Sequence, residues 1–249
     1  EISGSCGAAV TWNYDEVSCN LIISGSGTMY DYSSYRKPPW NPYCNYIKSL
    51  TLTTGVTYIG DYAFSDCISL TYITIPDSVT SSGYRAFLNC ISFTNITIPN
   101  SFKSIEMAMF QNCTSLTSMV IPNSVTSINT RAFFSCTGLT SIVIPDSVTY
   151  IGDYILSGCI SLTSITISNS IDTIKDGMFS NCRSLKNITI QNNIKYIERY
   201  AFSGCTSLAS LNISNIRYLG FGAFYGCTGL TNITIPDSIS SIKSKLFSG

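Results

Sequence analysis

A cysteine recurs every twenty-three residues along this chain, at Cys44, Cys67, Cys90, Cys113, Cys136, Cys159, Cys182 and Cys205, and again at Cys227, one residue early. A fixed period of this length means that one supersecondary unit is stacked on the next, because such a segment cannot close a core alone. The frame between cysteines is equally regular. In residues 113–135, CTSLTSMVIPNSVTSINTRAFFS, apolar residues occupy positions four, seven, nine, thirteen and sixteen counted from the cysteine, and a bulky apolar residue stands at position twenty-one. Positions seven and nine flank an outward position eight, the two-residue period of a short strand. In the second repeat these are Ile73, Thr74 and Ile75. Proline follows at Pro76, Pro99, Pro122, Pro145 and Pro236, where its missing N–H ends the strand. The Asp-Ser or Asn-Ser after it is turn chemistry. Better helix formers around Ala132 and Phe133 predict a short helical or 3₁₀ return on the opposite side. The expected fold is a solenoid, α/β to mostly β, with a parallel strand ladder on one face and short returns on the other.

Residues 1–43 break the period and read as an N-terminal capping region ahead of nine repeats over 44–249. Val10 to Tyr14 and Asn20 to Ser24 predict a β-hairpin around the polar turn at Asp15 and Glu16. Its task is to cover the open face of the first repeat, with Ile47, Leu50 and Leu52, which would otherwise be an edge for strand pairing. Trp12, Tyr14, Tyr30, Tyr32, Tyr35, Trp40, Tyr43 and Tyr46 crowd this region, either packing the cap on the array or forming an aromatic ligand patch. At the far end the chain stops one residue before the next cysteine is due, leaving Ile233 and Ile235 covered on one side. The expectation there is that the natural polypeptide continues or that two uncapped C-terminal turns associate end to end.

The 23-residue pattern, C-x-x-L-x-x-I-x-I-P-x-S-V-x-x-I-x-x-x-A-F-x-x over residues 44–249, resembles the BspA-like, or Treponema pallidum type, leucine-rich repeats. The preceding GSCG, TWNY, NLIISGSGTMYDYSS and PPW segments are similar to the amino-terminal cap that accompanies these repeats in bacterial surface proteins. The resemblance implies a leucine-rich repeat fold, an extracellular or cell-surface location, and adhesion to host matrix or cell-surface proteins.

Composition agrees with a weakly charged binding scaffold. Fourteen Lys plus Arg stand against fourteen Asp plus Glu, and 11% of residues are charged, so the chain has no basic footprint for nucleic acid and no polybasic membrane patch. No apolar run approaches the roughly 20 residues needed to span a bilayer. The chain begins at Glu1 without an initiator Met or a signal peptide, which reads as a processed product or as a segment cut for expression. It holds no histidine, which removes serine–histidine and cysteine–histidine nucleophiles and histidine-ligated metals. Asp61 with Asp66, Asp146 with Asp153, and Asp172 with Asp176 read as solvated surface charge rather than as a catalytic pair. The expectation is no enzyme, no metal and no cofactor.

The ladder cysteines read as buried free thiols acting as small apolar residues, because parallel inward side chains rarely offer disulfide torsions. Cys6 and Cys19 lie outside the ladder, and whether they bridge stays open. Ser82 replaces the expected isoleucine at position sixteen, which should loosen the second turn, and Gly83 beside it suggests a local distortion.

Two surfaces are candidates for binding. The strand face presents position eight as Thr51, Thr74, Thr97, Val120, Val143, Thr166, Thr189, Asn212 and Thr234, and position six with Tyr72, Asn95 and Ser118 among serines and asparagines. Repeat proteins bind along such extended faces, although β-branched threonine also simply suits an exposed strand. The second candidate is the return-side tyrosines Tyr58, Tyr62, Tyr150, Tyr154, Tyr196 and Tyr200, which could serve as an adhesive patch or as ordinary packing. The expected partners are proteins, met through the strand face. The alternatives are a structural spacer that displays another domain, and an ice-binding-type threonine array, which the two valines interrupt. Asn-x-Ser/Thr sequons begin at Asn95, Asn112, Asn187, Asn212 and Asn232.

Overall fold

Residues at positions six to eight pair across turns in parallel, with every partner one period away. In the computed structural model, which describes residues 2–248, Ser49–Leu52 pairs with Tyr72–Thr74, and Ser118–Val120, Ser141–Val143 and Ser164–Thr166 follow in a second, three-stranded sheet. The solenoid has parallel strand ladders and almost no helix. Strand alternation sends Ile73, Met119 and Ile142 inward and leaves the flanking residues in solvent.

A second parallel ladder, which the periodicity did not announce, runs through positions fifteen and sixteen. Its members are short, such as Ser104–Ile105, Ser127–Ile128 and Tyr150–Ile151, with the second residue buried and the first outward. Two-residue strands carry too little alternation to be seen in a sequence.

The expected helical returns are instead chained turns. Their backbone enters the left-handed region twice per repeat, at position nineteen (Tyr62 φ 51°, Arg85 φ 56°, Ala108 φ 53°, Arg131 φ 59°) and at position twenty-three (Asp66 φ 65°, Asn89 φ 61°, Asn112 φ 61°). No α-helix passes through such residues. The gain is along the stack, because alternate amides turn towards the next repeat. Tyr62, Phe64 and Asp66 donate to the carbonyls of Tyr84, Ala86 and Leu88 at 3.1, 2.9 and 2.8 Å, while Ala63 and Ser65 close local turns onto Gly60 and Tyr62. The same set repeats down to Gly226, which donates to Ser248. Glycine is required at Gly177, at φ 57°, where a Cβ would stand 2.2 Å from the Tyr154 ring of the turn before.

Inside, one core runs from Cys6 to Leu246. Its spine is a column of aromatic rings at position twenty-one. Trp40 stacks on Phe64, then Phe87, Phe110 and Phe133 follow, with centroids 5.6–5.7 Å apart. The column resumes at Phe179, Phe202, Phe224 and Phe247. Leu156 fills the gap, and beside it Ile155 replaces the usual alanine, so an Ile-Leu pair takes the volume of Ala-Phe.

The hairpin of Val10–Asp15 and Asn20–Gly25 forms as predicted, with Ile2–Ser5 added antiparallel at its outer edge. Its second strand pairs in parallel with Ser49–Leu52, so the cap extends the first ladder. Trp40 binds the cap to the array through its indole N–H, which donates to Ala63 O at 2.8 Å. Trp12, Tyr14, Tyr32 and Trp40 are buried, whereas Tyr35 and Tyr46 are exposed.

The cysteine ladder is buried as far as Cys205 and partly exposed at Cys227, and each free thiol from Cys90 to Cys227 donates to a carbonyl of the turn before, as Cys90 does to Phe64 O at 3.1 Å and Cys136 to Phe110 O at 3.1 Å. Burial pushes these thiols up, Cys159 to about 12 and Cys227 to about 11. The expectation of free thiols fails at the first rung, where Cys44 and Cys67 form a disulfide with Cα atoms 4.1 Å apart. Cys44 follows the 3₁₀ helix Asn41–Tyr43 at the junction of cap and array, so the bridge ties the first turn to the second. Cys6 and Cys19 are unbridged, because they sit beyond opposite ends of the Val10–Asp15 strand. Ser82 is buried with its hydroxyl 3.3 Å from Met109 Sδ, and Gly83 is needed because a Cβ there would stand 2.0 Å from Asp61 Oδ1.

Two measurements check this packing. L156F alone should lower stability by about 1–3 kcal/mol through overpacking, and I155A/L156F should recover most of that loss. Chemical denaturation would show the volume account to be wrong if the double variant were no more stable than L156F. Native protein treated with a thiol reagent at mildly alkaline pH should be labelled first at Cys19, then at Cys227, both partly exposed, with Cys90 to Cys205 reacting only on unfolding. Labelling of Cys113 or Cys136 at the rate of Cys19 would contradict the buried ladder.

Candidate functional site

The strand face is assembled by register. Thr51 pairs with Thr74, Thr97 with Val120, Val120 with Val143, and Val143 with Thr166. One β-branched side chain therefore follows another at about 4.8 Å along the stack. Ser118, Ser141 and Ser164 form the parallel column beside them. All of these side chains are exposed, Val120 at 81% and Val143 at 58%. From Tyr72 to Thr166 neither column contains a charge.

The remaining predicted face residues are exposed but not continuous with this row. Asn95 precedes the single bridge made by Thr97. Thr189 lies in a segment with no strand pairing, and Asn212 and Thr234 flank the lone bridge Ser210–Asn232. The ordered face runs from Thr97 to Thr166.

Two further columns tie successive turns together, one beside this face and one beside the second ladder, and the sequence reading missed them. Threonines at position five donate sideways to the carbonyl one turn earlier: Thr71 to Lys48 O at 3.0 Å, Thr140 to Thr117 O at 3.1 Å and Thr163 to Thr140 O at 3.1 Å. Position fourteen does the same through Thr80 and Thr126. The recurrence of threonine at both positions was the available signal.

The return-side tyrosines divide by position. At position fifteen, Tyr58 donates its hydroxyl to Asp31 Oδ1 at 2.9 Å, and burial together with this bond and the Asp61 charge pushes its pKa up. Asp61 is itself raised, by burial and by the Asp31 charge. Tyr150 and Tyr196 are exposed instead, at 53% and 41%. At position nineteen the rings pack along the stack. Tyr62 accepts a hydrogen bond from the Arg85 guanidinium and meets the Tyr84 ring edge-on at 5.4 Å. Tyr154 lies beside Arg131, and Tyr200 meets Phe221 edge-on at 5.4 Å. Tyr58 and Tyr62 are four periods from Tyr150 and Tyr154, so the six tyrosines do not share one patch.

Asp66 belongs to another ladder. It accepts from Asn89 Nδ2 at 2.7 Å, Asn89 accepts from Asn112 Nδ2 at 2.7 Å, and Lys37 caps Asp66 at 3.0 Å. Although burial opposes it, these donors lower the Asp66 pKa. Asn112, a sequon residue, is thus occupied in this ladder, whereas Asn95, Asn187, Asn212 and Asn232 are exposed. Among the described residues no three His, Cys, Asp or Glu side chains converge as metal ligands, and no helix is long and apolar enough to cross a membrane.

No curated protein matches this chain. Among solved structures it is similar to the leucine-rich repeat protein of T. pallidum, at 24% identity and a TM-score of 0.63 over 83% of this chain and 91% of that one. It is also similar to a leucine-rich cell surface protein of Faecalibacterium prausnitzii, at 24% identity and a TM-score of 0.54 over 100% of this chain and 86% of that one. A leucine-rich repeat protein of Eubacterium ventriosum, at 19% identity and a TM-score of 0.50, covers 100% and 94% respectively. At these identities the likeness is one of fold. The BspA type leucine-rich repeat region matches residues 42–161 and 127–249, with the strand, proline and phenylalanine frame described above, and on that match the chain belongs to the BspA-type leucine-rich repeat family.

Proposed function

We propose that this chain is a cell-surface or secreted scaffold that binds host matrix or cell-surface proteins through its strand face. The observation that carries the reading is the exposed pair Val120 and Val143, adjacent in register and bordered by Thr97, Thr166 and the serine column. Aliphatic side chains at this exposure, set side by side on a flat uncharged face, gain from being covered. A polar rim around an apolar centre is also the common anatomy of a protein interface. The surface location is supported by the description of the Faecalibacterium protein as a cell surface protein.

A screen of the immobilised chain against purified matrix proteins and host cells tests the reading. For any partner found, V120K/V143K should weaken binding about a hundredfold, because it would bury unpaired ammonium groups. Y150A, on the return side, should bind as the native chain does. Raising salt from about 0.15 M to about 1 M should change the affinity little, since the face carries no charge. Unchanged binding by V120K/V143K would move the site off the strand face.

A further inference from the structure

The first ladder is open between its Tyr72 and Asn95 turns. Tyr72–Thr74 pairs backwards with Ser49–Thr51, and Thr97 pairs forwards with Val120, yet no strand pairing joins the two segments. The cause is readable in the repeat. Position four is leucine in the neighbouring turns, at Leu70 and Leu116, but Phe93 in this one, fully buried and stacked on Phe87 at 5.7 Å. A larger side chain just before the strand holds that turn away from the one before it.

The opening is a groove of about 250 Å³. Ile73, Ile75 and Ile96 are its buried floor, and Tyr72, Thr74, Asn95 and Thr97 are its rim. Tyr72 departs from the serine or asparagine of the other repeats and is 61% exposed. The Thr74 hydroxyl donates to its phenolic oxygen at 3.1 Å, which holds the ring beside the groove. No ladder pairing joins the two backbone segments that border the opening, and no charged side chain lines it.

We propose that this groove binds a neutral sugar ring, the terminal or branch residue of a glycan. A pyranose has an apolar C–H face that packs on an aromatic ring, and an edge of hydroxyls that both donate and accept. The rim offers the matching set: the Tyr72 ring, the Asn95 amide with two donors and a carbonyl, and the Thr97 hydroxyl. A charged ligand would find no counter-charge here. The space suits one ring and is below the size of pockets that bury larger ligands. The groove adjoins the Val120–Val143 surface at Thr97, but the sugar contacts use neither valine, so either proposal can fail alone.

The test is saturation-transfer NMR with the methyl glycosides of glucose, galactose, mannose and N-acetylglucosamine. Because Asn95 begins a sequon, the chain is produced in bacteria and its unmodified mass confirmed. At least one glycoside should receive saturation. Y72A, an exposed change whose melting temperature should match the native chain, should lower that affinity about tenfold, while Y72F keeps it within about threefold. V143K, two turns from Thr97, should leave sugar binding unchanged. No transfer to any of the four glycosides, equal binding by Y72A, or a preference for glucuronate over the neutral sugars would each overturn the proposal.

Discussion

The interturn hydrogen bonds of the returns are the constraint on which the rest depends. A return made of helix would spend its amides on itself, whereas here every second amide from Tyr62 to Asp66 reaches into the next turn. That arrangement requires backbone in the left-handed region at positions nineteen and twenty-three, which costs of order 1 kcal/mol for most residues. The cost is offset because those bonds place the position-twenty-one rings one above another and bring each buried cysteine within reach of a carbonyl. Both the aromatic spine and the thiol column are consequences of one backbone path.

How much of this was legible depends on how far a signal exceeds one residue. The cysteine period, the position-seven and position-nine alternation and the hairpin were readable because each repeats or extends over several residues. The second ladder was not, since Ser104–Ile105 or Tyr150–Ile151 is too short to show a period. The left-handed returns lay between these cases. Gly158 and Gly204, with Asn89, Asn112 and Asn181, stand at position twenty-three, and Gly226 ends the one shorter repeat in the same way; all favour positive φ, so that half was available. Tyr62, Arg85 and Lys245 at position nineteen have no such preference and are held there by the neighbouring turns. The disulfide of Cys44 and Cys67 was hidden for another reason, because the pattern makes all rungs equal and only the cap makes the first one different.

The same distinction applies to the candidate site. Outward residues could be counted from each cysteine, and all of the predicted face positions are exposed. Their continuity could not be counted, because it depends on whether neighbouring backbones pair. From Ser168 onward three successive turns lack proline at position ten, with Ser168, Gln191 and Ser214 in its place. Proline restrains the residue before it to extended backbone, so without it the strand is less preorganised. The ladder lapses at the next turn, around Thr189.

A solenoid tolerates such departures because each repeat answers mainly to its neighbours. In a compact core, Phe93 in place of leucine would be resisted from every side; here it displaces one turn and leaves the column from Phe110 to Phe133 stacked at 5.7 Å. Ser82, in the turn before, removes volume from the same stretch of core to which Phe93 adds it. The groove beside Tyr72 is thus a local exception with a local cause. The flat face at Val120 and Val143 is the rule applied without interruption. Two surfaces of different character can share one strand face because the coupling between turns is short-ranged, and a change in one need not be transmitted to the other.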